Sequence, residues 1–225
     1  FLEAPREQLQ EVYVSESFLE KCSCREHLEE VGYEVVSDSV FSKISDTCTP
    51  QGVLCVLKQF HYNIEEMLRD KAPLFLLLEN IQDPGNLGTM LRTGEGAGVS
   101  GIIMSRDTVD LYNPKVIRST MGSIYRVPFY YADDFAAAVH QVQRAGVSVY
   151  AAHLRGKNSY ACQDYTKGTA FLIGNEGNGL REETAELADC YIRIPMEGKV
   201  ESLNAAVASS ILMYEAHRQR ATIEK

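Results

Sequence analysis

Apolar and polar positions alternate with a different grain in two parts of the chain. From Glu11 to Leu57 the apolar runs are short. Glu11-Val12-Tyr13-Val14, Tyr33-Glu34-Val35-Val36 and Val53-Leu54-Cys55-Val56-Leu57 read as strands. Ser17 to Cys22, Arg25 to Val31 (closed by Gly32) and Asp38 to Ile44 carry helical spacing, and Phe1 to Gln10 reads as a polar helix. Beyond a charged stretch from Asn63 to Lys71, Leu74-Phe75-Leu76-Leu77-Leu78 is apolar at every position, as befits a strand buried on both faces. Strand signals recur at 102–104, 126–131, 147–152, 170–173 and 190–194, between helical patterns at 87–97, 113–121, 133–145 and 181–187. A last helix runs from Ala205 to Glu215, with Leu203, Val207, Ile211 and Tyr214 on the face expected to pack. Strands alternating with helices predict an α/β fold, a mostly parallel sheet with helices on both faces, preceded by a small α/β unit. The divisions are 1–62, a linker at 63–72 and a larger domain at 73–225.

Composition narrows the class only a little. The 225 residues leave room for a sizeable core, and no apolar run approaches the ~20 residues of a membrane span. A formal charge of −9 argues mildly against nucleic acid as a partner, though a local basic patch on an acidic protein can still bind phosphate. Six cysteines, with no C-x-x-C pair, fit reduced thiols in a cytoplasmic protein; Cys22-x-Cys24 near His27 lacks the spacing of a metal site. The chain begins at Phe1, and part of a natural N-terminus is expected to be missing.

The chemistry is concentrated in three loops that leave strand carboxyl ends, where parallel sheets bind ligands. The first, Asn80 to Gly88, carries Asn86 and leads to Arg92, a residue suited to phosphate or a developing oxyanion; both are expected to face one cleft. The second, Gly174-Asn175-Glu176-Gly177-Asn178-Gly179-Leu180, has three glycines in six residues, which suits a close chain crossing or a ligand. The third, Pro195 to Leu203, joins the strand ending at Ile194 to a helix start holding Ser202 and Asn204, with Ser202 or a neighbour as its cap. Gly94-x-Gly96-x-Gly98 is not a dinucleotide fingerprint, because it closes a helix and precedes a strand.

These loops resemble the three ordered motifs of the SpoU-type (TrmH-like) RNA ribose methyltransferases of the SPOUT superfamily. The matching segments are Asp83-Pro84-Gly85-Asn86-Leu87-Gly88-Thr89-Met90-Leu91-Arg92-Thr93, Ile173 to Leu180, and Ile194-Pro195-Met196 to Ser202-Leu203-Asn204, together spanning roughly residues 73 to 216. Arg118 to Ser123 is similar to a further family segment, with Thr120-x-Gly122 where Ser-x-Gly is usual. The first unit resembles an L30-like RNA-binding domain shortened at its start, most clearly at Thr49-Pro50-Gln51-Gly52-Val53.

The resemblance implies a C-terminal trefoil knot, a homodimer with its site near the subunit interface, and S-adenosylmethionine as cofactor, with no metal. Gly174, Ile194, Met196, Leu203 and Asn204 are then expected at the cofactor. Arg92, Asn86, Glu176, Ser202 and Asn204 are the expected catalytic set: Arg92 at the substrate phosphate and hydroxyl, the two asparagines orienting, Ser202 supporting the loop and Glu176 bracing it. RNA is expected along Arg92, Lys115, Arg118 and Arg126, with Arg106, Lys21 and Arg25 extending the surface and Tyr112 and Tyr125 available for base stacking. Ribosomal RNA is preferred over transfer RNA, and neither DNA nor a membrane is expected. Two other readings stay open: a knotted RNA-binding protein that does not methylate, and a Rossmann-type nucleotide-binding enzyme.

Overall fold

The computed structural model describes residues 2–223. It divides into two compact units, Phe1–Phe60 and His61–Lys225. In the first, β1 (Leu9–Ser15), α1 (Glu16–Lys21), α2 (Arg25–Val31), β2 (Glu34–Val36), α3 (Asp38–Ile44) and β3 (Val53–Leu57) follow in order. The sheet order is β2-β1-β3, parallel then antiparallel, and Val12, Val14 and Leu28 form its buried centre. Ser15 caps α1 and Ser37 caps α3 through their hydroxyls, so both helix starts are legible as polar residues before an apolar pattern. The stretch expected as a first helix is not helical within the described residues. The amides of Gln8 and Leu9 turn back to the Pro5 carbonyl, and the chain then enters β1.

The second unit runs α4 (Ile64–Met67), β4 (Leu74–Leu78), α5 (Pro84–Ala97), β5 (Gly101–Ser105), α6 (Pro114–Thr120), β6 (Phe129–Ala132), α7 (Phe135–Arg144), β7 (Ser148–Ala152), β8 (Asn158–Ser159), β9 (Thr169–Ile173), α8 (Glu182–Ala185), β10 (Cys190–Arg193) and α9 (Ala205–Ile223). Within the stretch expected as a linker, α4 buries Ile64 and Met67 in this unit's core. All seven strands pair in parallel, in the order β6-β5-β4-β9-β7-β10-β8. Every residue of β4, β5 and β9 is buried, which explains their unbroken apolar runs. Strands β4, β5 and β6 step one way, whereas β9 inserts between β4 and β7, and β10 between β7 and β8. The direction of travel therefore reverses at β4/β9, the position at which such sheets open a crevice beyond their carboxyl ends.

Two expectations are corrected here. Helix α5 begins at Pro84, so much of the supposed polar loop is its first turn; Asp83 Oδ1 accepts from the Asn86 amide at 2.7 Å, and Pro84 takes a first-turn position where no amide is needed. The packed face of α9 is Ala205, Ala206, Ser209, Leu212, Met213 and Ala216, while Val207 and Tyr214 are about half exposed at 48% and 49%. Helix α9 lies close along α5, with Thr93 Oγ1 3.4 Å from Ser210 Oγ, Gly94 beside Met213 and Gly96 beside the Tyr214 hydroxyl. No helix among the described residues is long and apolar enough to cross a membrane.

Candidate active site

Four strand ends meet at the crevice. β4 ends on Glu79, which is 1% exposed and accepts hydrogen bonds from the Arg181 amide at 2.8 Å and from the Thr184 hydroxyl. Its neighbour Asn80 has φ of 54°, a left-handed conformation that costs a non-glycine residue energy. The surroundings hold it there: its amide donates to Ser105 Oγ at 2.8 Å and its carbonyl accepts from Asn175 Nδ2 at 2.8 Å. Asn175 also accepts from the amides of Gly177 and Asn178, both at 3.0 Å, which folds the glycine loop into a tight turn after β9. A Cβ on Gly174 would run into the backbone of Gly179 and Leu180, so glycine is required for a close approach of the chain.

Glu176, at the tip of this loop, reaches back across the crevice. Its carboxylate accepts from the amides of Gln82 (3.1 Å) and Asp83 (3.0 Å) and from Asn86 Nδ2 (3.0 Å). Burial alone would raise its pKa, but these donors, Asn86 first, outweigh burial and hold the carboxyl below its ordinary value. Asn86 Oδ1 in turn accepts from Asn204 Nδ2 at 2.9 Å, and Asn204 Oδ1 caps α9 by accepting from Ala206 (2.9 Å) and Val207 (3.2 Å). Asn204, not Ser202, is thus the cap. Glu176, Asn86 and Asn204 form one chain of hydrogen bonds that ties all three motif loops together and fixes which way each amide points.

Beside this chain lies a cavity of about 270 Å³, near the lower end of the range for small-molecule sites. Its walls are Ile173 and Ile192 on the strand ends, the glycine loop, and parts of the segment that follows β10, with Glu176 and Glu201 contributing carboxylates. Gly174, Ile194, Met196 and Leu203 line it, as do Glu176 and Ser202; Asn86, Arg92 and Asn204 do not. Mostly backbone and apolar walls with carboxylates at hand fit a flat heterocycle joined to a cationic tail, the chemistry of S-adenosylmethionine. His153 and Leu154, at the end of β7, also line it. Sequence reasoning passed over His153 and Asn175. The signal for His153 was its place after a strand, since β7 ends at the same crevice as the other three.

Arg92 is exposed and leaves α5 about 120° around the helix from Asn86, six residues earlier. No hydrogen bond joins them among the described residues. It lies one turn beyond Gly88, which packs on α6 so closely that a Cβ would strike Ser119. Lys115 and Arg118 are exposed on α6, whereas Arg126 is held by Glu95, which also accepts from Ser123 Oγ at 2.6 Å. Arg106 pairs with Asp133 at 2.6 Å, and Tyr112 packs edge-on against Phe129 with ring centres 6.0 Å apart.

A parallel sheet that opens a backbone-lined cavity at its reversal point, crossed by an asparagine–glutamate chain, defines an α/β domain built to hold a small-molecule ligand. The model of the SpoU rRNA Methylase family matches residues 73–214, well over half of the chain, and the chain belongs to that family. It is 35% identical over 180 residues to the 23S rRNA (guanosine(2553)-2′-O)-methyltransferase RlmP of Bacillus subtilis, covering 80% of this chain and 70% of that protein. It is 32% identical over 222 residues to the 23S rRNA (guanosine-2′-O-)-methyltransferase RlmB of Bordetella pertussis, covering 95% and 91%. Among solved structures, the AdoMet-bound rRNA methyltransferase of Sinorhizobium meliloti superposes with a TM-score of 0.80 at 33% identity, covering 94% of this chain and 80% of that one.

Proposed function

We propose that this protein is an S-adenosylmethionine-dependent methyltransferase that modifies a ribose 2′-hydroxyl of RNA, with ribosomal RNA as its substrate class. The observation that carries this reading is that two family motifs line one cavity, with Gly174 as the cradle, and the third is tied to them at its edge by the Glu176–Asn86–Asn204 chain. S-adenosylmethionine supplies, when bound, a methyl group on a sulfonium that a ribose oxygen can displace in line. The protein's own task is to place that oxygen and to ease loss of its proton, and placement alone can lower the barrier by several kcal/mol, about 7–11 in well-oriented cases.

Arg92 takes the substrate phosphate and, through its fixed positive charge, favours the deprotonated hydroxyl; being always protonated, it acts by charge and hydrogen bonding. Its exposure, with no acceptor among the described residues, leaves its donors available to RNA. Asn86 and Asn204 hold the acceptor side in one orientation, Glu176 braces the first two motif loops, and Ser202 supports the rim. Lys115 and Arg118 continue the phosphate track, while Arg126, held by Glu95, contributes less. Further parts of the reading are a trefoil knot around the inserted strands β9 and β10, an L30-like first unit that selects the RNA, a homodimer and a cytoplasmic location.

The test is calorimetry with S-adenosylmethionine, followed by transfer of its labelled methyl group to ribosomal RNA. Binding with transfer that disappears in Arg92→Ala supports the reading. Binding without transfer to any ribosomal or transfer RNA would make the chain a binding protein, and no binding would remove the cofactor.

A further inference from the structure

The wall of the cavity formed by the end of β7 has no role in the reading above, and it carries a titratable group. His153 lines the cavity directly after Ala152. Its Nδ1 accepts the Arg155 amide hydrogen at 3.1 Å, so the neutral ring carries its proton on Nε2. One face of the ring rests on Tyr191, with centres 5.0 Å apart and planes 30° from parallel. The turn that follows is rigid: the Gly156 amide donates to the His153 carbonyl at 2.9 Å, and a Cβ on Gly156 would lie 2.8 Å from the Ile192 carbonyl carbon. The imidazole therefore has a fixed position, one nitrogen committed to the backbone and the other without an acceptor among the described residues.

We propose that His153 is a specificity-determining residue of this cavity, which in its neutral form admits the cationic methyl donor and in its protonated form disfavours that donor relative to the uncharged-sulfur product. The proposal rests on S-adenosylmethionine occupying the cavity. Protonation would break the hydrogen bond that the Arg155 amide donates to Nδ1 and place a positive charge in the wall. The donor carries a sulfonium charge that its product, S-adenosylhomocysteine, lacks, so the same protonation penalises the donor more. Burial, then the Arg155 charge, lower the His153 pKa from its ordinary 6.5, while Glu182 opposes them. The other charged groups lining the cavity are Arg193 on β10 and the carboxylates Glu176 and Glu201, and Tyr191 adds a phenol against the ring. Glu176 and Glu201 also favour a cation, and protonation of Glu176, whose pKa lies below its ordinary value, would weaken the donor in the same direction at lower pH. The histidine must therefore be separated from them by substitution.

The experiment is calorimetric titration of the intact protein with S-adenosylmethionine and, separately, S-adenosylhomocysteine from pH 7.5 to 5.5, repeated with His153→Asn. Asparagine keeps a polar group of similar size and retains every carboxylate, but does not titrate. In the native protein the ratio of donor to product affinity is expected to fall about twofold to threefold across this range, since a histidine lowered from 6.5 is only partly protonated at its acid end. In His153→Asn the ratio is expected to stay constant. Parallel pH profiles for the two ligands, or a fall in the ratio that persists in the variant, would overturn the proposal. If neither ligand binds at pH 7.5, the cofactor assignment itself fails, and this proposal with it.

Discussion

Glu176→Gln tests the bridge between the motif loops in quantitative terms. The native carboxylate accepts from two amides and from the Asn86 side chain, all at about 3.0–3.1 Å, and has no hydrogen to offer. Glutamine keeps the shape but turns one oxygen into a donor, which then faces a donor. One of the three bonds is lost and the others lose their charge assistance. A hydrogen bond to a charged group contributes about 1.5–3 kcal/mol against about 1 for a neutral one, and partial exposure reduces this further. The expected cost is about 1–2 kcal/mol, or roughly 2–8 °C in the melting temperature of a unit of this size. The pH dependence supplies the sign. Because the folded-state pKa lies below the ordinary 4.5, the carboxylate's contribution is complete above 4.5 and is lost as pH falls through the lowered value. Thermal melts of both proteins from pH 7 downward should therefore show a constant gap that closes only in the acid range. Equal melting temperatures at pH 7, or a gap that widens on acidification, would refute the bridging role.

Substitutions at three further positions follow from the same geometry. Gly174→Ala should cost about 1–3 kcal/mol in urea unfolding and weaken S-adenosylmethionine binding at least tenfold, because the new methyl meets backbone and not a movable side chain. Asn204→Ala removes the cap of α9 and the partner of Asn86, so chemical denaturation should show a loss of about 1–2 kcal/mol with a fall in methyl transfer; Asn204→Asp should restore the cap and not the Asn86 bond. Arg220→Ala removes hydrogen bonds to four carbonyls, those of Tyr165 (2.9 Å), Ala72 (2.8 Å), Pro73 (3.3 Å) and Lys167 (2.7 Å), of which all but Ala72 keep Thr169 as a donor, and should lower stability by about 1–3 kcal/mol while leaving cofactor affinity in the surviving folded protein unchanged.

The framework of the fold was legible because it depends on local rules. Strand β4 announces itself by five apolar residues, and α7 by Asp134 before an amphipathic run and Gly146 after it. Errors arose where a tertiary neighbour overrides the local signal. The face that α9 buries is set by its packing along α5 and the sheet, which takes Ala205, Ala206, Ser209, Leu212 and Met213 and leaves Val207 and Tyr214 about half exposed. The start of α5 is a different case: Asp83 and Pro84 are ordinary start signals, obscured by the glycines that follow them. In the site, each motif was visible, but their linkage was not. Asn86 and Asn204 are 118 residues apart, and no periodicity predicts that their amides meet. Nor does spacing reveal that Arg92 leaves α5 on another side from Asn86, or that His153 joins the cavity from β7.

The atom that receives the methyl group distinguishes ribose from base methylation. RNA methylated with labelled S-adenosylmethionine should be digested in alkali, which cleaves beside a free 2′-hydroxyl and spares a linkage whose 2′-oxygen is methylated. The label is expected in alkali-resistant dinucleotides, and to vanish when Arg92 is replaced by alanine. Label recovered in single nucleotides would place the methyl on a base and contradict the account.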